Sequence, residues 1–300
     1  MKMDLRCRKL LEFFPEPLRA SAAELLERRG SEVEEFRFRR DAPIGVLLLG
    51  REITIRAADR PLLADGPLLG ELLRRATKNS AYAVQNQIRE GFLTLPGGHR
   101  MGVCGCAVCE RGEIRTIREI QSLCLRISHE RIGAADPCMN LLWSHPGSAL
   151  IHGSPGSGKT TVLRDAVRQL SDRFGIRVGV VDERGEIAAC LDGQPQFRIG
   201  RLTDVLSFCP KRAGIELLLR SMRPDWIAVD EITAEEDVEA ILRASYCGVR
   251  FLATAHTLGA DDLMKRPIYR KLISSGIFEN QIRITSDRTL ECERMAYESS

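Results

Sequence analysis

Near the middle of the chain the sequence reads Gly153-Ser154-Pro155-Gly156-Ser157-Gly158-Lys159-Thr160-Thr161. Its first eight residues match the pattern G-x-x-x-x-G-K-[ST] at every fixed position. An apolar strand is predicted to end at His152, and a helix is predicted to begin near Lys159. A glycine-rich turn between a strand and a helix lets backbone N–H groups surround a phosphate, and the helix N-terminus adds partial positive charge. The stretch therefore predicts a loop that binds nucleotide phosphates.

The side chains of this loop define the expected cofactors, ATP and Mg²⁺. Lys159 is predicted to reach the β- and γ-phosphates, and the Thr160 hydroxyl is predicted to ligate Mg²⁺. The loop from Gly153 to Thr161 would line the nucleotide. A chance glycine-rich turn is the alternative, and the flanking strand and helix argue against it.

Two further predicted strands end in acidic residues. One leads into Asp230 and Glu231, and another, over residues 178–181, leads into Glu183. Ligands of open α/β sheets lie beyond the carboxyl ends of the strands, so these carboxylates are expected to face the nucleotide. Asp230 is predicted to hold a water of the Mg²⁺ shell, and either Glu231 or Glu183 could take a proton from the attacking water. An acidic loop or an ordinary acidic helix start is the alternative interpretation.

A third predicted strand ends in the hydroxyls and imidazole of Thr254, His256 and Thr257. A lone histidine more often has a structural role. At a strand end in a sheet of this kind, however, one of the two hydroxyls or the His256 imidazole could sense the γ-phosphate and transmit its loss to neighbouring elements.

Composition places the chain among ordinary globular proteins with two domains. The 300 residues are 44% hydrophobic and 28% charged, and 44 Lys and Arg against 41 Asp and Glu leave a net charge of +3. So balanced a charge indicates no obligatory nucleic-acid or membrane partner. The charged start of the chain contains no apolar run typical of a signal peptide, and a cytoplasmic protein is expected. The ten scattered cysteines are then predicted to be mostly small buried hydrophobes.

Periodicity predicts an α+β domain over residues 1–115, a linker over 116–140 and a P-loop domain over 141–300. From about residue 149 strands and helices alternate, which favours a mainly parallel sheet with helices on both faces. The predicted fold class is α/β, with a RecA/AAA-like P-loop domain preceded by a smaller α+β domain. The alternating core includes a predicted element over 185–189. Outside it, helices are predicted over 17–29, 67–77 and 81–90, and sheet-edge strands over 278–284 and 289–295.

Three cysteines, Cys104, Cys106 and Cys109, fall in a predicted strand and turn. Zinc prefers four ligands, and the nearest further candidate is His99, with no second cysteine pair to complete a site. We interpret these cysteines as strand residues.

Several long motifs in the same order resemble the stage III sporulation protein AA family, and the similarity covers nearly the whole chain. The motifs are Pro96–Arg100 with Gly102, Arg118–Ile120 through Leu125–Ile127, the P-loop, Val181–Ile187, and Arg220 through Pro224–Ile232. The family is related to the hexameric type II and type IV secretion ATPases. One departure is that those enzymes usually carry Gly-Glu where this chain has Asp230-Glu231, so the assignment of the base does not carry over directly.

The resemblance implies a ring-forming ATPase that acts on the mother-cell side of the channel between mother cell and forespore. Its expected partners are further copies of itself and membrane-embedded channel proteins, with no stable nucleic-acid partner. Ring ATPases place an arginine of one subunit against the γ-phosphate bound by its neighbour. The candidates are Arg118, Arg126, Arg220 and Arg223, each of which could equally be a surface or ion-paired arginine.

Other function classes remain open at this point. A RecA-like or helicase-loader ATPase on single-stranded nucleic acid would share the core, although aromatic residues make up only 5% of the chain. A module that holds ATP as a structural switch is a second alternative. A small-molecule kinase is a weaker one, because no acceptor pocket or lid is evident.

Overall fold

The chain forms two compact units. The computed structural model describes residues 4–77, 91–110, 112–257 and 260–295, so the helix expected over 81–90 lies outside the described residues. The first unit comprises residues 1–129 and 190–196, and the second comprises 130–189 and 197–300. Within the described part of the chain, the helices are too short or too polar to cross a membrane.

The first unit is an antiparallel sheet with helices. Its described helices are α1 (Leu5–Phe13), α2 (Leu18–Arg29) and α3 (Gly66–Ala76), with a 3₁₀ turn at Gly30–Glu32. Its strands are β1 (Val33–Arg39), β2 (Ala42–Pro43), β3 (Gly45–Leu48), β4 (Arg51–Thr54), β5 (Arg56–Ala57), β6 (Arg60–Pro61), β7 (Leu63–Ala64), β8 (Phe92–Leu95), β9 (His99–Glu110) and β10 (Glu113–Arg126).

The six-stranded sheet of this unit has the order β4-β3-β1-β10-β9-β8. Phe36 lies opposite Leu125, and Phe38 lies opposite Leu123, so one face of the sheet is apolar. Phe14, which follows α1, packs edge-on against Phe36 with ring centroids 5.3 Å apart. The unit therefore has its own hydrophobic core.

The boundary between the domains differs from the prediction. Strand β10 covers the first part of the predicted 116–140 linker, and a helix begins at Asp136 within its last part. Leu123 and Leu125 are buried in the first unit, whereas Ser122 and Cys124 are partly exposed and Arg126 is exposed. The alternation is that of a half-buried strand, although the polar and charged residues of the segment led to its interpretation as a linker.

The second unit is built on a mainly parallel sheet. Its described helices are α4 (Asp136–Ser144), α5 (Lys159–Phe174), α6 (Lys211–Ser221), α7 (Glu235–Tyr246), α8 (Ala260–Lys265) and α9 (Pro267–Ser274). Its strands are β11 (Ser148–Gly153), β12 (Val178–Asp182), β13 (Thr203–Ser207), β14 (Trp226–Val229), β15 (Arg250–His256), β16 (Phe278–Ile284) and β17 (Leu290–Arg294).

The strand order is β13-β12-β14-β15-β11-β16-β17, and only the β16–β17 pair is antiparallel. Alternate residues of each strand enter different cores: Ile151 packs in the core with α5, and Leu150 packs in the core with α7. Helices thus cover both faces, which confirms the predicted α/β class. The predicted strands over 278–284 and 289–295 do form the sheet edge, as β16 and β17.

One predicted element is absent. Residues 185–189 form neither helix nor strand, because Asp182 at the end of β12 binds their backbone N–H groups. Its two carboxylate oxygens accept hydrogen bonds from four consecutive amides, Glu186 to Ala189, at 2.7 to 3.3 Å. A carboxylate that satisfies the backbone in this way competes with regular structure.

Candidate nucleotide-binding site

The predicted phosphate loop connects β11 to α5 in the second unit. Gly156 and Gly158 have φ values of +74° and +107°, which L-residues with a side chain rarely adopt. A Cβ on Gly153 would lie 2.8 Å from the Ile284 carbonyl oxygen, so the adjacent strand β16 also requires a glycine there. The loop therefore has the open backbone that phosphate binding needs, and α5 begins directly after it at Lys159.

Lys159 lies inside the loop. Its Nζ donates hydrogen bonds to the carbonyl oxygens of Gly153 and Ser154 at 3.0 and 2.8 Å. Burial lowers the pKa of this amine, whereas the carboxylates of Asp230 and Glu231 oppose the shift. The ammonium group is therefore close enough to these carboxylates for their charges to interact.

A hydrogen-bond chain joins the first turn of α5 to the ends of strands β14 and β15. Thr160 Oγ1 donates to Asp230 Oδ2 at 3.1 Å, and Thr254 Oγ1 donates to Asp230 Oδ1 at 2.5 Å. The Glu231 backbone N–H in turn donates to Thr254 Oγ1 at 2.8 Å. Parallel strands β11, β15 and β14 lie side by side, so their carboxyl ends lie next to one another at the same end of the sheet. The structure thus brings the predicted Mg²⁺ residues Thr160 and Asp230 together.

The carboxylate of Glu231 lies near an imidazole and a guanidinium group. His256 Nε2 lies 3.2 Å from Glu231 Oε2, and a guanidinium nitrogen of Arg184 lies 3.9 Å from the same oxygen. His256 Nδ1 is buried and has no hydrogen-bond partner among the described residues. The ring therefore contacts the carboxylate through one nitrogen and leaves the other unbonded.

Glu183 has a different partner. Its carboxylate forms an ion pair with Lys211 at the start of α6, a lysine that sequence reasoning did not consider. Strand β12 is also one position farther from β11 than β14 is, which corresponds to about 5 Å. Of the two predicted bases, Glu231 is thus nearer the strand of the phosphate loop.

The four candidate arginines are dispersed. Arg118 and Arg126 lie in β10 of the first unit, where Arg126 Nε donates to Glu35 at 3.0 Å. Arg220 is in the last turn of α6, and its Nε donates to the Glu216 carbonyl oxygen at 3.2 Å. Arg223 lies three residues before the start of β14, at the amino ends of the strands, opposite the phosphate loop. Arg220 and Arg223 therefore lie toward the amino ends of the strands, away from the carboxyl ends, and do not reach a nucleotide in their own subunit.

The three exposed cysteines Cys104, Cys106 and Cys109 lie on β9. His99 is engaged elsewhere: its Nδ1 accepts a hydrogen bond from the Ser128 N–H at 3.1 Å, and its Nε2 lies 3.3 Å from the Arg6 carbonyl oxygen. Within the described residues there is no group of three or more His, Cys, Asp or Glu side chains arranged to hold a metal ion.

Comparison with known proteins identifies the family. The family model described as "Sporulation stage III, protein AA" matches residues 18–295. Stage III sporulation protein AA of Bacillus subtilis (strain 168) is 34% identical over 282 residues, which cover 92% of this chain and 90% of that protein. The chain belongs to the stage III sporulation protein AA family. The resemblance of the sequence motifs to this family is thereby confirmed.

Solved structures show that this member of the family shares its fold with ATPases of other systems. The pilus retraction motor PilT, solved with bound ADP, superimposes with a TM-score of 0.62 at 18% identity, covering 92% of this chain and 83% of PilT. The ATPase DotB of Legionella pneumophila gives a TM-score of 0.56 at 17% identity, covering 94% of this chain and 81% of DotB. At these identities the likeness concerns the fold.

Proposed function

We propose that this chain is a Mg²⁺-dependent ATP hydrolase of the secretion-ATPase type. The observation that carries the proposal is the contact between Thr160 of the phosphate loop and Asp230 at the end of β14, with Glu231 adjacent. One strand, β15, separates β14 from β11 and supplies Thr254 to the same chain of hydrogen bonds. Binding groups and a candidate base thus meet at one sheet edge.

The residues present fit a magnesium nucleotide. Hydroxyl and carboxylate oxygens are the ligands that Mg²⁺ prefers, and Thr160 and Asp230 supply one of each. The buried Ser157 hydroxyl in the phosphate loop has no hydrogen-bond partner among the described residues, as expected of a group that binds a ligand. When bound, Mg²⁺ would neutralise charge on the β- and γ-phosphates.

Each side chain has a distinct task in the proposed reaction. The backbone amides of the loop bind the phosphates, and Lys159 moves from its carbonyl partners to the β- and γ-oxygens. Glu231 accepts a proton from the attacking water, and His256 holds the Glu231 carboxylate in place. Thr254 fixes the directions of Asp230 and of the Glu231 backbone. Glu183 has no direct role in this scheme.

We further propose that the active form is an oligomeric ring whose partners are membrane-embedded proteins of the sporulation channel. Membership of the family supports this proposal. An arginine from a neighbouring subunit would complete the site, with Arg118 and Arg220 the first candidates. The ring would remain on the cytoplasmic side and reach the membrane through those partners.

ATP hydrolysis per subunit, measured across a wide range of protein concentration, tests the proposal, with Lys159→Ala as the blank. Specific activity should rise with concentration, because neighbouring subunits complete the site, and should be insensitive to single-stranded DNA. Turnover that is independent of concentration and stimulated by DNA would instead favour an ATPase acting on nucleic acid. Activity no greater than that of the blank, with or without the channel proteins, would contradict the proposal and favour a protein that binds ATP without hydrolysing it.

A further inference from the structure

Lys211 is a buried lysine next to the candidate nucleotide site. It is the first residue of α6, and only 5% of its surface is exposed. A buried ammonium group is unfavourable unless an opposite charge accompanies it. The Glu183 carboxylate, one residue beyond β12, supplies that charge.

Two glycines bring α6 close enough for this ion pair to form. A Cβ on Gly214 would lie 2.5 Å from Val181 Cγ1, and a Cβ on Gly179 would lie 2.9 Å from Leu218 Cδ1. Gly214 is three residues after Lys211, so both lie on the same face of the helix. The close approach of α6 to β12 therefore sets Lys211 against the end of that strand.

A second carboxylate is affected by the charge of the lysine. Asp237, in the first turn of α7, is 7% exposed, and its Oδ2 lies 3.5 and 3.4 Å from the backbone N atoms of Thr233 and Ala234. Burial raises the pKa of Asp237, and the charge of Lys211 acts in the opposite direction. The lysine thus interacts with charges on two elements that adjoin the strand carrying Glu231.

We propose that Lys211 is a positioning residue that neutralises Glu183 and holds its carboxylate away from the triphosphate. The inference rests on the proposed ATPase function. Without Lys211, an uncompensated negative charge would stand about three strand spacings, or about 14 Å, from β11. Repulsion across that distance would weaken binding of the anionic nucleotide more than it would slow the chemical step.

ATP affinity and turnover of the full-length Lys211→Met variant test this proposal. At about 0.05 M salt the Kd for MgATP should rise about 10-fold, with kcat within about 2-fold of the wild type. The increase in Kd should shrink at about 0.5 M salt, because ions screen the exposed carboxylate. Lys211→Arg should keep Kd within about 3-fold of the wild type, since it retains the charge. Lys271→Met, which removes an exposed lysine of α9, is the matched control.

The double variant Glu183→Gln/Lys211→Met separates charge from packing. It should bind ATP as tightly as Glu183→Gln alone, because no carboxylate remains at position 183, and it provides the test even if Lys211→Met folds poorly. An unchanged Kd in Lys211→Met, or a loss that neither Glu183→Gln nor salt reverses, would overturn the proposal. Loss of turnover in Glu183→Gln with ATP binding intact would also overturn it, by making Glu183 the base. Failure of the proposed function itself would be evident from a wild-type protein no more active than Lys159→Ala.

Discussion

Thr254 contacts both residues whose carboxylates the proposed chemistry uses. Its hydroxyl donates to Asp230 Oδ1 and accepts from the Glu231 N–H, and the residue is fully buried. In the sequence it was only one of three polar groups at the end of a strand, with a suggested role in sensing phosphate. In the structure its hydroxyl is bonded to the end of the neighbouring strand β14.

Substitution of Thr254 by Val is expected to lower kcat about 10-fold while ATP binding is retained, because an isosteric side chain loses both hydrogen bonds. Steady-state turnover and a nucleotide titration would check both parts. Thr203→Val is the control, since it removes a hydroxyl at the start of β13 that donates to the Ile199 carbonyl oxygen. Equal losses in the two variants would contradict a specific role for Thr254.

The titration of His99 should make the stability of the first unit depend on pH. Burial lowers the pKa of His99 from 6.5 to about 4, so the folded unit keeps the ring neutral. The unfolded chain takes up a proton as the pH falls below 6.5, whereas the folded chain does so only near pH 4. The stabilising contribution is therefore complete above pH 6.5 and is lost as the pH falls toward 4.

Between pH 7 and pH 5 this one group should lower the free energy of unfolding by about 2 kcal/mol. Denaturant unfolding of the wild type and of His99→Gln at the two pH values would measure the difference. The variant should be less stable at pH 7 and less sensitive to acid. Identical pH dependence in the two proteins would exclude His99 as the titrating group.

At the scale of elements, the packing of α6 on β12 depends on a glycine inside a helix. Glycine normally destabilises a helix by about 1 kcal/mol relative to alanine. Glycine is nevertheless required at position 214, because a methyl group there would overlap Val181 and would lie only 3.0 Å from Cys209 Sγ. The position of the helix, and with it the position of Lys211, follows from this contact.

Gly214→Ala should therefore destabilise the second unit by about 1–2 kcal/mol despite its better helix propensity. Gly70→Ala in α3 is the control, because a Cβ there meets no atom within 4 Å, and it should be neutral or slightly stabilising. Thermal unfolding of both variants would reveal the difference. A stabilised Gly214→Ala protein would show that α6 can move away without loss.

At the scale of the whole molecule, a ring predicts that mixtures of two inactive variants regain ATPase activity. Lys159→Ala disables the phosphate loop but keeps its arginines, whereas Arg118→Ala or Arg220→Ala keeps the loop. If an arginine acts across a subunit boundary, mixing the two kinds of variant should restore up to about a quarter of wild-type activity. Turnover of the mixtures relative to each variant alone is the measurement. An arginine variant with normal turnover by itself would be excluded as the group that acts in trans.

Much of this organisation follows from local sequence. The phosphate loop depends on glycines at fixed spacing between a strand and a helix, and the alternation of strands and helices predicted the parallel sheet. These signals are local, because each depends on neighbouring residues with a regular period. By contrast β10 was interpreted partly as a linker, since the partners that bury Leu123 and Leu125 are distant in the chain.

The sequence alone determined the nucleotide loop, the α/β class and the strand ends that carry acidic residues. Only the tertiary structure decided which carboxylate meets which cation. Glu183 and Glu231 both follow an aspartate at the end of a buried strand, and nothing local distinguishes them. Packing of α6 places Lys211 on Glu183, and the pairing of β14 with β15 places His256 beside Glu231. Such pairings depend on distances across the sheet, which residue order along one strand does not specify.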